Sequence, residues 1–349
     1  NLVPADFAVS DAEGPIYFTL IDYASIYQDE EITFSTFDEL FSKTDEGKIS
    51  YAIIGWGSFI TGYSRWANTS SIRKEYVGYD ITCVDAEIQF GQPPANGVVA
   101  IGRFDPQATG EALSQQGEWP SWAVAAYTTE DYHGVTIHSW GSGLEFHLEN
   151  RLIPPHIDEL GRAKPLAVTD KYLFYAASVE TVRQMIDASQ NQYSSLADLP
   201  EYAAIADGLS NLKAYVAIIS EGSQANVGLY INVNPQYKDK PIYLSNYVEP
   251  LLKNYLTFGS GLGRDAKGTY MAVVLYHENH DDALENFSLL EQRIKNLSSL
   301  IDYNPWSEKI TNVDIEVEGN MLLAKLYTDS LSLWASWIYT YDNLLFHEE

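Results

Sequence analysis

The chain of 349 residues has one cysteine, Cys83. It can form no intrachain disulfide and no cysteine-based zinc site; a lone cysteine reads as a small buried hydrophobe. Basic residues are scarce: 21 Lys and Arg against 48 Asp and Glu leave a net charge of −27. That field repels nucleic-acid phosphates, and no Lys/Arg cluster offsets it, so no nucleic-acid partner is expected. An anionic membrane surface is disfavoured for the same reason. Charged residues make up only 20%, below the ~25% typical of globular proteins, which favours solubility over a halophilic surface. No stretch reaches the ~18–20 apolar residues that cross a bilayer, so no transmembrane segment is expected.

Reactive motifs are missing as well. There is no Gly-x-Ser-x-Gly elbow of an α/β-hydrolase. The run Gly259-Ser260-Gly261-Leu262-Gly263 is followed by Arg264-Asp265 rather than Lys-Ser/Thr, so it is not a phosphate loop. It lacks the Gly-x-Gly-x-x-Gly spacing of a dinucleotide fingerprint. Residues 259–268 read as a flexible loop, and no cofactor is implied.

What is present suits a folded α+β protein. Hydrophobic residues reach 46%, enough for a sizeable core, with 25 Tyr and 8 Trp. Tyr and Trp suit sheets and wet interfaces. From residue 98 the pattern runs strand (Val98–Phe104), helix behind Asp105-Pro106, strand (Val135–Trp140), strand with a turn at Asp170-Lys171, helix capped by Ser178, and strand (Ala214–Ile219). This β-α-β-β-α-β order predicts a ferredoxin-like lobe.

The second half repeats it. Tyr270–Tyr276 reads as a strand, and Asp281 or Asp282 as the cap of a helix bearing Leu284, Phe287, Leu290, Ile294 and Leu297. A hairpin turns at Glu318-Gly319-Asn320, and a final helix runs from Ser330 through Leu345. The strand needed to complete this half is expected from the N-terminal segment. The expected organisation is therefore two ferredoxin-like lobes with mostly antiparallel sheets backed by helices: 98–220 and 221–349, with 1–97 packing on them. Earlier runs predict a strand at Ile16–Ile21, a helix behind Ser35 and a strand over Tyr51–Ile60. Between the lobes, Ser194–Leu209 and Tyr247–Leu256 read as helices and Val227–Val233 as a strand.

Two histidine groups invite a metal reading. His133, His138, His147 and His156 lie close in sequence, but an offset of five puts the first two on opposite faces of a strand. His277-Glu278-Asn279-His280-Asp281-Asp282 is the better set, with His277, His280 and Asp281 as candidate ligands. Helix capping is the competing explanation of its acidic residues. The C-terminal segment with Trp334, Trp337, Tyr339 and Tyr341 reads as packed on the second sheet. Sequons stand at Asn68, Asn286 and Asn296.

Met271–Asn279, running into Asp282–Asn286 and Leu290–Arg293, resembles uncharacterised exported proteins of Chloroflexi-like bacteria. So do Val317–Leu326 and the ending Asn343–His347. The Leu2-Val3-Pro4-Ala5-Asp6 start is similar to a mature terminus just past a secretion or lipoprotein leader. Ser195–Tyr202 is similar to a stretch of duplicated extracytoplasmic domains. The resemblance implies a secreted or cell-surface location, a removed leader or N-terminal anchor, and a duplicated α+β fold. It supplies no catalytic residues.

The expectation is an extracytoplasmic, non-enzymatic binding or assembly protein of the cell envelope that contacts a protein or polymer partner through Tyr/Trp-rich surfaces. The alternatives are a metal- or carboxylate-dependent hydrolase with its site between the lobes, and a small-ligand-binding receptor.

Overall fold

The computed structural model describes residues 1–8, 18–43, 49–50, 77–92, 95–114, 127–140, 165–226, 248–340 and 342–348. The expected strands at 51–60 and 227–233, together with His147, His156 and Asn68, lie outside these residues. The protein is mixed α and β, and its strand pairings within each unit are antiparallel. The chain divides into two compact units, one of the described residues up to Asp198, the other of those from Leu199 onward. This division does not coincide with the expected limits at 97/98 and 220/221.

The first unit contains β1 (Phe18–Asp22), α1 (Tyr23–Asp29), α2 (Phe37–Ser42), β2 (Val84–Gln92), β3 (Ala95–Gly102), α3 (Pro106–Ser114), β4 (Tyr127–Tyr132), β5 (Val135–Trp140), β6 (Leu166–Val168), β7 (Tyr172–Ala176) and α4 (Val179–Ser189). Its strands run in the order β1-β2-β3-β7-β6-β5-β4, every neighbour antiparallel. The helix starts follow local chemistry. Asp105 accepts from the amides of Gln107 and Ala108, both at 3.0 Å, with Pro106 at the first helical position. Ser178 accepts from Thr181 N at 3.1 Å. Val182, Met185 and Ile186, at spacings of three and one, are buried on α4, which packs on β7 and β5.

The second unit contains α5 (Pro200–Asn211), β8 (Ala214–Glu221), β9 (Thr257–Asp265), β10 (Gly268–Tyr276), α6 (His280–Asn296), α7 (Trp306–Lys309), β11 (Asn312–Glu318), β12 (Met321–Tyr327) and α8 (Ser332–Thr340). Its strand order is β11-β12-β10-β9-β8. The glycine run is not a loop: it is β9, paired residue by residue with β10 and, across one bulge at 214–216, with β8. Gly259, Gly261 and Gly263 share one face because side chains alternate along a strand. A Cβ on Gly259 would lie 2.6 Å from Ile205 Cγ2 and 2.8 Å from Leu209 Cδ1, and one on Gly208 would lie 2.8 Å from Val274 Cγ1. The missing side chains let α5 settle onto the sheet, over a core of Ile205, Leu209, Ala217, Tyr270, Val274, Leu323 and Tyr327. The alternate row Met271, Val273, Leu275 and His277 faces the other side, where Asn286 of α6 meets His277.

Other expectations change with the pairing. The strand expected from the N-terminal segment does not complete this half: β9 pairs with β10, while β1 pairs with β2 in the first unit. Residues 248–256 are not helical; Leu252 forms a parallel bridge with His347. The last helix ends at Thr340, and Leu344–His347 leave it to become a buried terminal segment.

Candidate functional site

The corner after β10 carries the predicted metal ligands, and the structure does not bring them together. His277 is fully buried and has both ring nitrogens occupied. Nδ1 lies 3.0 Å from the Asn320 carbonyl and donates to it, while Asn286 Nδ2 donates to Nε2 across 2.8 Å. That assigns the neutral tautomer with its proton on Nδ1. Burial holds the His277 pKa below its ordinary value, with the Asn320 carbonyl and Asp282 opposing the shift. His280 turns its Nδ1 to the Gly319 carbonyl, and Asp281 lies exposed in the first turn of α6. The cap of α6 is neither Asp281 nor Asp282 but Asn279, whose Oδ1 accepts from Asp282 N at 3.0 Å. Among the described residues no three His, Cys, Asp or Glu side chains are placed to share a metal ion.

The 277–280 corner instead grips the turn of the β11–β12 hairpin. His277 N also donates to Asn320 O at 2.9 Å, and Asn320 Nδ2 donates to Glu278 O at 3.1 Å. His277 and His280 each bond a different carbonyl of that turn, Asn320 O and Gly319 O. Their acceptors are main-chain atoms rather than a metal ion.

A larger buried polar cluster extends from this corner, and no local motif in the sequence marks it. Arg293 on α6 is 0% exposed. Its Nε donates to Leu344 O at 2.8 Å, and Nη1 donates to the carbonyls of Val248 and Pro250. Among the described residues Nη2 has no hydrogen-bond partner. Burial lowers the Arg293 pKa to about 10, opposed by Tyr255 and Glu249. Tyr255 is buried with its hydroxyl donating to Leu345 O, and burial raises its pKa well above the usual phenol value. His347 sits against the Tyr255 ring with centroids 4.4 Å apart, and its Nε2 lies 2.9 Å from Gly222 O. Asn226 brackets His347, donating to its carbonyl at 3.1 Å and accepting from its amide at 3.0 Å. Asp342 accepts from Ser299 Oγ at 2.5 Å and Leu300 N at 2.9 Å, and burial raises its pKa despite those bonds.

Asn286 also spans this region, accepting from Lys253 N at 2.6 Å and donating to Lys253 O at 3.0 Å. It is fully buried, so its sequon presents no accessible amide. The signal that could have revealed the cluster is a basic residue at Arg293 on the apolar side of a helix, one position before Ile294 and three after Leu290. That placement demands internal acceptors.

In the first unit His133 occupies the β4–β5 turn at φ +51°, whereas His138 is buried on β5. Tyr127 OH lies 2.8 Å from His138 Nδ1, and burial lowers the His138 pKa to about 4.

No family model matches the chain, and no curated protein does. Three solved crystal forms of TP0453, a Treponema protein, are similar to it. Form I is 10% identical with a TM-score of 0.41, over 98% of this chain and 99% of that one. Form III is 10% identical with a TM-score of 0.35, over 94% and 95%. Form IV is 10% identical with a TM-score of 0.36, over 94% of each.

Proposed function

We propose that the chain is a non-enzymatic binding or assembly protein that works outside the cytoplasm, at the cell envelope, on a protein or polymer partner. One observation carries the reading: the side chains best suited to chemistry in the second unit, His277, Arg293, Tyr255 and His347, are turned onto main-chain atoms of their own unit. They fasten the chain instead of facing a substrate. The extracytoplasmic location draws on the resemblance of the 271–279 and 317–326 segments to exported proteins. The described tryptophans Trp140, Trp306, Trp334 and Trp337 are buried, so among the described residues exposed tyrosines such as Tyr303 supply the aromatic part of a contact surface. The run β10-α6-β11-β12-α8 supports a ferredoxin-like ancestry for the second unit, with β9 standing in for the fourth strand.

The test is native mass spectrometry of the protein recovered from its own source, at low and at high salt. A stoichiometric partner is the expected result. Turnover of a glycan or peptide panel by the purified chain, abolished by substitution of one side chain, would overturn the reading.

A further inference from the structure

Among the described residues, the strand order of the second unit ends in β11, and no other strand pairs with its outer edge. β11 is seven residues long, and its register with β12 has no shift from Asn312↔Tyr327 to Glu318↔Met321. The two-residue turn Gly319-Asn320, with Gly319 at φ +58°, makes Glu318 and Met321 a mutually hydrogen-bonded pair. Hydrogen-bonded pairs alternate along antiparallel strands, so 316/323, 314/325 and 312/327 follow. On its other side β12 bonds to β10 through the intervening residues, as the Thr328 N to Thr269 O bond of 3.0 Å requires. The main-chain N–H and C=O groups of Val313, Ile315 and Val317 therefore point away from the sheet. Among the described residues no strand pairs with them.

Edges of this kind are usually shortened, bulged, or blocked by proline or lysine. β11 has none of these: its sequence is Asn-Val-Asp-Ile-Glu-Val-Glu. Its side chains form two rows. Val313, Ile315 and Val317 are half-buried; Asn312, Asp314, Glu316 and Glu318 are exposed. Asp314 is neutralised by Lys267 at 2.5 Å. Glu316 and Glu318 have no cationic partner among the described residues.

We propose that β11 is a docking edge for an extended segment of a partner protein in which basic and apolar residues alternate, added to the sheet as a further strand. This rests on the binding role proposed above and names the partner's chemistry. The unpaired N–H and C=O groups supply the ladder. Partner Lys or Arg residues stand opposite Glu316 and Glu318, and its apolar residues extend the Val313–Ile315–Val317 row. A second copy of β11 is disfavoured, because it would place Glu316 and Glu318 against like charge.

The test is fluorescence anisotropy on the full chain with a labelled nine-residue peptide of alternating Lys and Val. Two comparison peptides are used: alternating Glu and Val, and the Lys-Val peptide N-methylated at alternate residues. Ile315→Pro removes an outward N–H that β12 does not use. The Glu316→Lys/Glu318→Lys double variant leaves every main-chain bond in place. The Lys-Val peptide is expected to bind the parent chain, with affinity falling at least about tenfold in each variant, ~1.4 kcal/mol. The double variant is expected to prefer the Glu-Val peptide. Equal binding of the N-methylated peptide would overturn strand addition in favour of bare charge attraction. Concentration-dependent dimers of the parent chain that Ile315→Pro abolishes would overturn it in favour of self-pairing. If both variants keep a native partner seen by mass spectrometry, the edge is not the docking site, although the binding role stands.

Discussion

Each unit ends its strand order in a hairpin with a two-residue turn, and the two are anchored by opposite means. In the first unit His133 and Gly134, at φ +51° and +79°, turn β4 into β5. The edge strand is tied to α4 by charge: Arg183 Nη2 lies 2.7 Å and 2.8 Å from the two Glu130 oxygens, and Tyr132 OH donates to Asp187 at 2.8 Å. Arg183 and Glu130 are partly in contact with water. In the second unit the Gly319-Asn320 turn is gripped by neutral or main-chain donors from the 277–280 corner, backed by the buried Arg293 cluster. The first kind of anchor is screened by salt and weak; the second is insulated from salt and costly to break.

The largest effect is expected inside the second unit. Arg293→Ala leaves the carbonyls of Leu344, Val248 and Pro250 without their donor and opens a cavity. We expect a loss of about 3–5 kcal/mol. Hydrogen exchange should show residues 342–348 losing protection first, with α4 and β7 of the first unit unchanged. Equal loss in both units would show that the cluster does not serve the second unit alone.

Acid should reach both units through buried imidazoles. The His138 pKa falls from an ordinary 6.5 to about 4 in the folded chain. The unfolded chain therefore takes up the proton first, and stability drops as pH falls from about 6.5 to about 4, then levels off. The side chain is only 5% exposed, and the effect is up to about 3 kcal/mol. His138→Phe should flatten that limb in urea titrations at stepped pH. His277 has the same sign, as burial also lowers its pKa, but the Asn320 carbonyl and Asp282 oppose the shift. A limb as steep in His138→Phe as in the parent would remove His138 from the account.

The glycine groove is the next test. Gly259→Ala puts a Cβ within 2.6 Å of Ile205 Cγ2, and overpacking of this kind costs about 1–3 kcal/mol. A neutral or stabilising outcome in thermal unfolding would mean that α5 shifts freely over β9.

Local side-chain chemistry and distant partners leave different marks on the sequence. Elements whose signal is local were legible: the Asp105-Pro106 and Ser178 helix starts, the turn at Asp170-Lys171 and the Gly319-Asn320 hairpin all form where side-chain chemistry places them. Elements defined by partners were not. The glycines of β9 carry no hydrophobic pattern and read as a loop; the closeness of α5, Tyr270 and β8 explains them. β4, Tyr-Thr-Thr-Glu-Asp-Tyr, escaped notice because an exposed edge has no need of apolar alternation. The His277–Asp282 motif was seen as a cluster, but its partners, Asn320 and Asn286, lie 43 and 9 residues away, so its role as a turn grip lay beyond local sequence. Arg293 was hidden for the same reason: its acceptors are main-chain oxygens, which carry no residue signature.

The smallest effect belongs to the anchor of the first unit. Arg183 is about one-third exposed, and its partner Glu130 is 40% exposed, so water competes with the pair despite its two-pronged geometry. Arg183→Ala should therefore cost at most about 1 kcal/mol. That cost should shrink further between about 0.05 and 0.5 M salt, as the screening length falls below the size of the cluster. The matched measurement is Arg293→Ala over the same salt range, where the guanidinium and its main-chain acceptors are buried away from the ions. If both penalties fall with salt in the same proportion, burial does not separate the two anchors. If only the Arg183 penalty falls, the two hairpins differ in the physical origin of their hold and not merely in its strength.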